Sequence, residues 1–250
     1  MTENNLTNKK FWVVSTLPRS GTHFLQAILS SVPGSVVVQE FFNGSLAVMG
    51  NEWINKGLYE ELDHPVNAVG ETQARFIFLF RHPHHPPVED SRFSDARTID
   101  LIGYPFDRYI SGGIVENSDE YAAIPSSKRD YGKEYFLKSG SIDCARAMSV
   151  MDIESDWMNS LIGNKKTLVL RYEDFFNNQN IILECLSKEL GEDVILSHQA
   201  RKNSSRVYWR EAPTVRMDDG AFYKIFDSFS HSLEYFYPEK WPTLCQLRKA

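Results

Sequence analysis

The sequence predicts an α/β fold, with a mainly parallel central sheet of about five strands flanked by helices. Short apolar, β-branched runs recur along the chain and alternate with segments of helical spacing, which is the pattern of repeated βα units. The first such run meets a tight polar turn and then a helix. In an open sheet, a strand–loop–helix of that kind faces ligands at the carboxyl edge. Composition agrees with one large globular unit: of 250 residues, 42% are hydrophobic and 24% charged.

The first strand is read over Phe11 to Ser15. Phe24, Leu25, Ile28, Leu29 and Val32 then recur at helical spacing until Pro33-Gly34 stops the helix. Between them lies Thr16-Leu17-Pro18-Arg19-Ser20-Gly21-Thr22-His23. Such a turn aims backbone N–H groups and a helix N-terminus at one point, which attracts an anion such as a phosphate. Gly21 permits close approach, Arg19 adds a fixed charge with bidentate reach, and Ser20 and Thr22 supply hydroxyls. The turn is not an ATPase loop, which requires G-x-x-x-x-G-K-[ST]; here position 16 is Thr.

Ser35 to Val38 is the second strand, ending at Glu40-Phe41-Phe42, so that a carboxylate stands at the ligand edge of the sheet. In the stretch that follows, Trp53, Ile54, Leu58 and Leu62 have helical spacing, and the region is assigned to ligand binding. Arg75 to Phe80 is a third strand running into Arg81-His82-Pro83-His84-His85-Pro86-Pro87. The three histidines admit a zinc site, a catalytic base or a plain solvated loop. The prolines keep the segment extended and no cysteine lies near, which disfavours zinc.

Thr98 to Gly103 is the fourth strand, followed by a helix opening on Tyr104-Pro105-Phe106-Asp107-Arg108, with Ser111 one turn further on. Residues 116 to 140 are polar without a clear period and read as a loop over a ligand site. Ile142 to Leu161 reads as a helix with Ala145, Met148, Met151 and Trp157 facing inward. Lys166 to Arg171 is the fifth strand, leading into Tyr172-Glu173-Asp174, and Ile181 to Leu190 is an amphipathic helix stopped by Gly191. Arg201, Lys202, Arg206, Arg210 and Arg216 make a locally basic stretch in an acidic protein. The last helix, 221 to 236, carries the stripe Phe222, Ile225, Phe226, Phe229, Leu233 and Phe236.

Four of these segments, in order, resemble the sulfotransferases that use 3′-phosphoadenosine 5′-phosphosulfate (PAPS). T-x-P-R-S-G-T at 16–22 resembles their 5′-phosphosulfate loop. Pro105, Asp107 and Ser111 match their 3′-phosphate segment, R-Y-E-D at 171–174 resembles a strand end near the adenine, and Arg201-Lys202 resembles the start of the loop over the 3′-phosphate. Gly103 departs from the family, which has a phosphate-binding Arg there, and Asn203 replaces a family Gly. The resemblance implies a P-loop NTPase-like fold and transfer of a sulfuryl group from PAPS to a hydroxyl or amine of a small molecule. Arg19 would hold the leaving oxygen, and Glu40 or His84 would act as general base, with His82 and His85 competing for the histidine register. Pro18 to His23, Arg108, Ser111, Tyr172, Arg201 and Lys202 would contact the nucleotide. No metal is required, because the sulfuryl group carries less charge than a phosphoryl group. A non-catalytic nucleotide-binding protein on the same fold, and less favourably a small-molecule kinase, remain alternatives.

The formal charge of −6 disfavours a general nucleic-acid binder, and no run of 18 apolar residues suggests a membrane span. The expected organisation is a flexible tail over 1–10 and a single domain over 11–250. Three widely spaced cysteines fit neither a disulfide framework nor a zinc motif, which points to reduced thiols in the cytoplasm.

Overall fold

The computed structural model describes residues 10–39, 47–50, 74–83, 96–116, 141–142, 144–196, 216–217 and 219–249. Contacts divide the chain into two compact units. One comprises Met1–Leu17, Gly21–Ile102 and Lys165–Asn203; the other comprises Pro18–Ser20, Gly103–Asn164 and Ser204–Ala250.

The first unit holds the main sheet. Its strands are β1 (Lys10–Thr16), β2 (Ser35–Gln39), β3 (Ala47–Gly50), β4 (Phe76–Arg81), β5 (Arg97–Ile102) and, after a long excursion of the chain, β7 (Thr167–Arg171). They lie in the order β3-β2-β4-β1-β5-β7. Five of them are parallel, and β3 pairs antiparallel with β2 at the edge. β1 is therefore central. The chain goes from β1 to β2 on one side and later crosses to β5 on the other, so the loop after β1 leaves the sheet at a topological switch point. This is an α/β fold of the P-loop NTPase-like kind.

The parallel strands are buried because both their faces are apolar, as β4 shows with FIFLF enclosed throughout. On one face, Trp12, Val14, Phe76, Phe78, Phe80, Ile99, Leu101 and Leu170 meet Phe24, Leu25, Ile28 and Leu29 of α1 (Thr22–Leu29). Phe175 and Ile182, Leu186 and Leu190 join the same core. Phe175 belongs to a one-turn helix over Asp174–Asn177, and the other three to the helix Gln179–Leu190, which Gly191 ends in the left-handed conformation (φ 70).

The second unit is built on helices. α2 (Pro105–Glu116) precedes a short two-stranded parallel sheet of β6 (Ser141–Ile142) and β8 (Arg216–Met217). α3 (Met151–Ser160) follows a 3₁₀ turn over Ala147–Val150, and counting the two helices after β7 as α4 and α5, α6 spans Asp219–Phe236 and α7 Trp241–Lys249. The stripe Ile225, Phe226, Phe229 and Leu233 of α6 is buried as its spacing requires.

Three expectations need correcting. Ile142 does not open a helix: it pairs with Met217 as a strand, and α3 begins only at Met151, so Ala145 is exposed rather than inward. A further helix, α7, follows the one read as last, with Leu244 buried and Trp241 stacked on Phe226 at 5.2 Å. The edge strand β3 was not anticipated, since its Ala-Val-Met-Gly stretch is too short for a periodic signal. No cysteine is in a disulfide. Among the described residues, no helix is long and apolar enough to cross a membrane.

Candidate functional site

The candidate site is built on the turn between β1 and α1. In the first unit, Thr16 Oγ1 and Thr22 Oγ1 are hydrogen-bonded at 2.9 Å, tying the end of the strand to the start of the helix. Gly21 is the N-cap of α1, with φ 85 and ψ 27, a left-handed conformation that glycine adopts without steric cost. Gly21 offers no side-chain cap and the first turn of α1 has no acidic residue, so the helix itself brings no negative charge to the positive end of its dipole. His23 Nδ1 donates to Gln26 Oε1 at 2.9 Å, within the helix itself.

Tyr172, from the turn after β7, packs directly against the loop glycine. A Cβ built on Gly21 would stand 2.2 Å from Tyr172 Cδ2 and Cε2. The ring also meets Phe176 and Phe24 edge-on, at 5.1 and 6.0 Å. The turn that carries it is braced by Arg171, whose Nε and Nη2 donate to the two oxygens of Asp174 at 2.7 and 2.6 Å. Gly21 and Tyr172, which the sequence placed in separate motifs, are thus in contact.

His82, at the end of β4, donates from Nδ1 to the Thr16 carbonyl at 2.6 Å. A carbonyl oxygen can only accept, so the proton of the neutral ring sits on Nδ1 and Nε2 carries the lone pair. The sequence named His82 only as a competitor of His84. Its parallel register could have favoured it: Ser15 of β1 pairs with Arg81, so the next residues of both strands leave the sheet side by side.

Behind the turn, Arg81, Ser15 and Asp100 stand in one row across three neighbouring strands, on the sheet face opposite Trp12 and Val14. Asp100 is 5% exposed and accepts from Thr167 Oγ1. Burial pushes its carboxyl up from 3.8 to about 6, against the hydrogen bonds of Thr167 and Ser15 and the charge of Arg81. Burial likewise lowers the Arg81 guanidinium, and its Nε has no hydrogen-bond partner among the described residues.

The second unit contains the tip of the turn. Pro18 is half-buried, Ser20 fully buried and Arg19 exposed. Arg19 has φ 64; it is the one non-glycine residue with positive φ among those described, a strained conformation that tends to mark functional turns. Its Nε donates to Ser111 Oγ at 3.2 Å. The fold therefore joins one residue from each of the first two motifs, 92 positions apart. Gly103 is buried, and a Cβ there would stand 3.0 Å from Ser20 Cβ and 3.1 Å from Arg108 Cδ. Arg108 is 4% exposed, donating from Nη2 to Glu154 Oε2 and from Nε to the Pro18 carbonyl, both at 2.9 Å. The Tyr109 hydroxyl donates to the same Glu154 oxygen at 2.6 Å.

Glu40, His84, Arg201 and Lys202 lie outside the described residues, as do Phe41, Phe42 and His85.

No protein-family model matches the chain, and no curated protein matches it. Among solved structures, it is similar to mouse sulfotransferase SULT7A1 in complex with PAP, at 17% identity over 84% of this chain and 71% of that one, with a TM-score of 0.44. It is also similar to a sulfotransferase from Alicyclobacillus acidocaldarius, at 13% identity over 91% of this chain and 93% of that one, with a TM-score of 0.48.

Proposed function

We propose that the chain is a sulfotransferase that moves a sulfuryl group from PAPS to a hydroxyl or amine of a small molecule. The observation that carries this reading is the turn after the central strand. An arginine is held in a left-handed conformation at its tip, and an uncapped helix N-terminus free of acidic residues follows two residues later. A dianionic or sulfated phosphate suits both features.

The donor supplies the sulfuryl group, and the chain's residues bind, orient and move one proton. Arg19 neutralises charge that develops on the leaving phosphate oxygen. Thr22 supplies a hydroxyl to the same phosphate, and Gly21, left-handed under the Tyr172 ring, gives the loop backbone its shape; Ser20, expected as a second hydroxyl, is fully buried. Ser111 directs Arg19 and belongs with Arg201 and Lys202 to the 3′-phosphate contacts, while Tyr172 borders the nucleotide at the loop glycine. As the acceptor oxygen or nitrogen forms its bond to sulfur and the bond from sulfur to the phosphate oxygen breaks, its proton passes to a base at the carboxyl edge of the sheet. Glu40, after β2, is the first candidate for that base and His84 the second. His82 is the candidate whose tautomer is already fixed. In-line transfer of this kind is positioning and charge stabilisation, and these residues can supply both without a metal.

A second reading, nucleotide binding without turnover, is favoured by Gly103, which offers no side chain where the resembled family grips the 3′-phosphate. Calorimetric titration with PAP, ATP and ADP, beside an assay for sulfated product, separates the readings. PAP binding with turnover supports the transferase, PAP binding without turnover supports the second reading, and preference for ATP indicates a kinase. Arg19→Ala should weaken PAP binding by about 2–3 kcal/mol, the range for a hydrogen bond to a charged group, without unfolding the protein. An unchanged PAP affinity would remove the anion site from the turn.

A further inference from the structure

We propose that Arg108 is a positioning residue: with Glu154 as its buried counter-charge, it clamps the tip of the 16–22 turn from behind and holds Arg19 in its left-handed conformation. This rests on the reading above for its ligand, and on geometry alone for the clamp.

The pair is enclosed, with Arg108 and Glu154 side chains 3% and 1% exposed at 2.9 Å. Burial opposes the charge on Arg108 most strongly, but Glu154 together with Tyr109 and Tyr237 outweighs it, so the guanidinium stays ionised. Such a pair is a poor choice for stability, because desolvation consumes most of what the attraction returns. Arg108 Nη1 adds to that burden, being buried without a hydrogen-bond partner among the described residues. An apolar pair of the same volume would fill the space better. What an apolar pair could not do is donate to the Pro18 carbonyl, as Arg108 Nε does.

That carbonyl belongs to the peptide plane between Pro18 and Arg19, so holding it anchors one end of the rotation about the Arg19 N–Cα bond. It is there that the strained φ of 64 is found. Three residues along the same helix, Ser111 takes the Arg19 side chain. One face of α2 therefore grips the turn twice, at the backbone before Arg19 and at its side chain. Glu154 keeps the fork of Arg108 oriented, and the Tyr109 hydroxyl, donating to the same oxygen, holds Glu154 in place. Gly103 is part of the device: a Cβ there would press on both Ser20 and the Arg108 stem. The positive charge of Arg108 is balanced inside the protein, so its role is to shape the turn.

The test is the double variant Arg108→Met/Glu154→Gln in the full chain. It removes both charges at similar volume and leaves Tyr109 an acceptor. Its melting temperature should match or exceed that of the wild type. Hydrogen exchange at peptides covering 18–22 should accelerate by about tenfold or more, with β1 unchanged, and PAP affinity should fall at least about tenfold as the turn loses its shape. Unchanged exchange across 18–22 in a folded double variant would overturn the clamp. If that variant does not fold, native-state exchange of the wild type in low denaturant decides. The clamp requires residues 18–20 to open together with α2, and their opening separately and at lower free energy overturns it. A wild type that binds no PAP overturns the functional reading, and the exchange result still decides the clamp.

Discussion

Asp100→Asn gives the sharpest test of the electrostatics behind the turn. Asp100 is 5% exposed in the middle of the parallel sheet, and its carboxyl is pushed from 3.8 to about 6 by burial. Because the folded value lies above the unfolded one, folding favours the protonated form. The stability this group contributes is complete below about pH 3.8 and is lost as pH rises through about 6. At about 1.4 kcal/mol per pH unit, the interval between those values corresponds to a loss of about 3 kcal/mol by neutral pH. Asparagine cannot ionise, keeps an oxygen to accept from Thr167, and has nearly the same volume. The variant should therefore gain on the wild type as pH rises from 4 to 7, by up to about 3 kcal/mol. Equilibrium urea unfolding at four or five pH values, with slopes checked for equality, measures the difference directly. A difference that stays flat with pH would show that Asp100 titrates normally. A difference that falls as pH rises would show that attraction to Arg81 outweighs burial, reversing the order of the two effects.

Three further variants have expected outcomes. Gly21→Ala should destabilise the protein by about 2 kcal/mol or more, because a left-handed φ is strained for any other residue and the new methyl would collide with the Tyr172 ring; unchanged denaturation midpoints would refute that packing. Glu40→Gln should lower kcat by about 10²–10⁴-fold with PAP affinity nearly intact, while His82→Ala, which gives up the bond to the Thr16 carbonyl, should chiefly weaken PAP binding; the reverse pattern in steady-state kinetics would put the base on His82.

Legibility in this chain follows the range of the interaction. β1, the turn and α1 are set by neighbours in sequence, and the expected strand and helix differ from the observed ones only at their ends. β3 is different. Its four residues carry no periodicity and become a strand only through pairing with β2, which is information from elsewhere in the chain. The contact between Tyr172 and Gly21 was equally hidden, since each motif is readable alone but nothing in either states that the ring covers the glycine.

Arg108 is the instructive intermediate case, because its spacing signals the burial that the structure shows. As a lone charge after Asp107, it suggests a surface arginine or a phosphate ligand. As a position in a helix, it shares a stripe with Pro105, Tyr109 and Gly112, the i, i+3, i+4, i+7 spacing of a buried face. Glu154 occupies the same place in the stripe of Met151, Ser155 and Met158 on α3. A single charge in an apolar stripe is an error in the pattern; two of opposite sign, on helices of one unit, can satisfy each other and so survive burial. The pairing itself cannot be read from either helix, but the need for a partner can. A charge that periodicity forces inward demands a counter-charge, and its remaining donors can then hold a backbone carbonyl. Here that carbonyl belongs to Pro18, in the turn that carries Arg19.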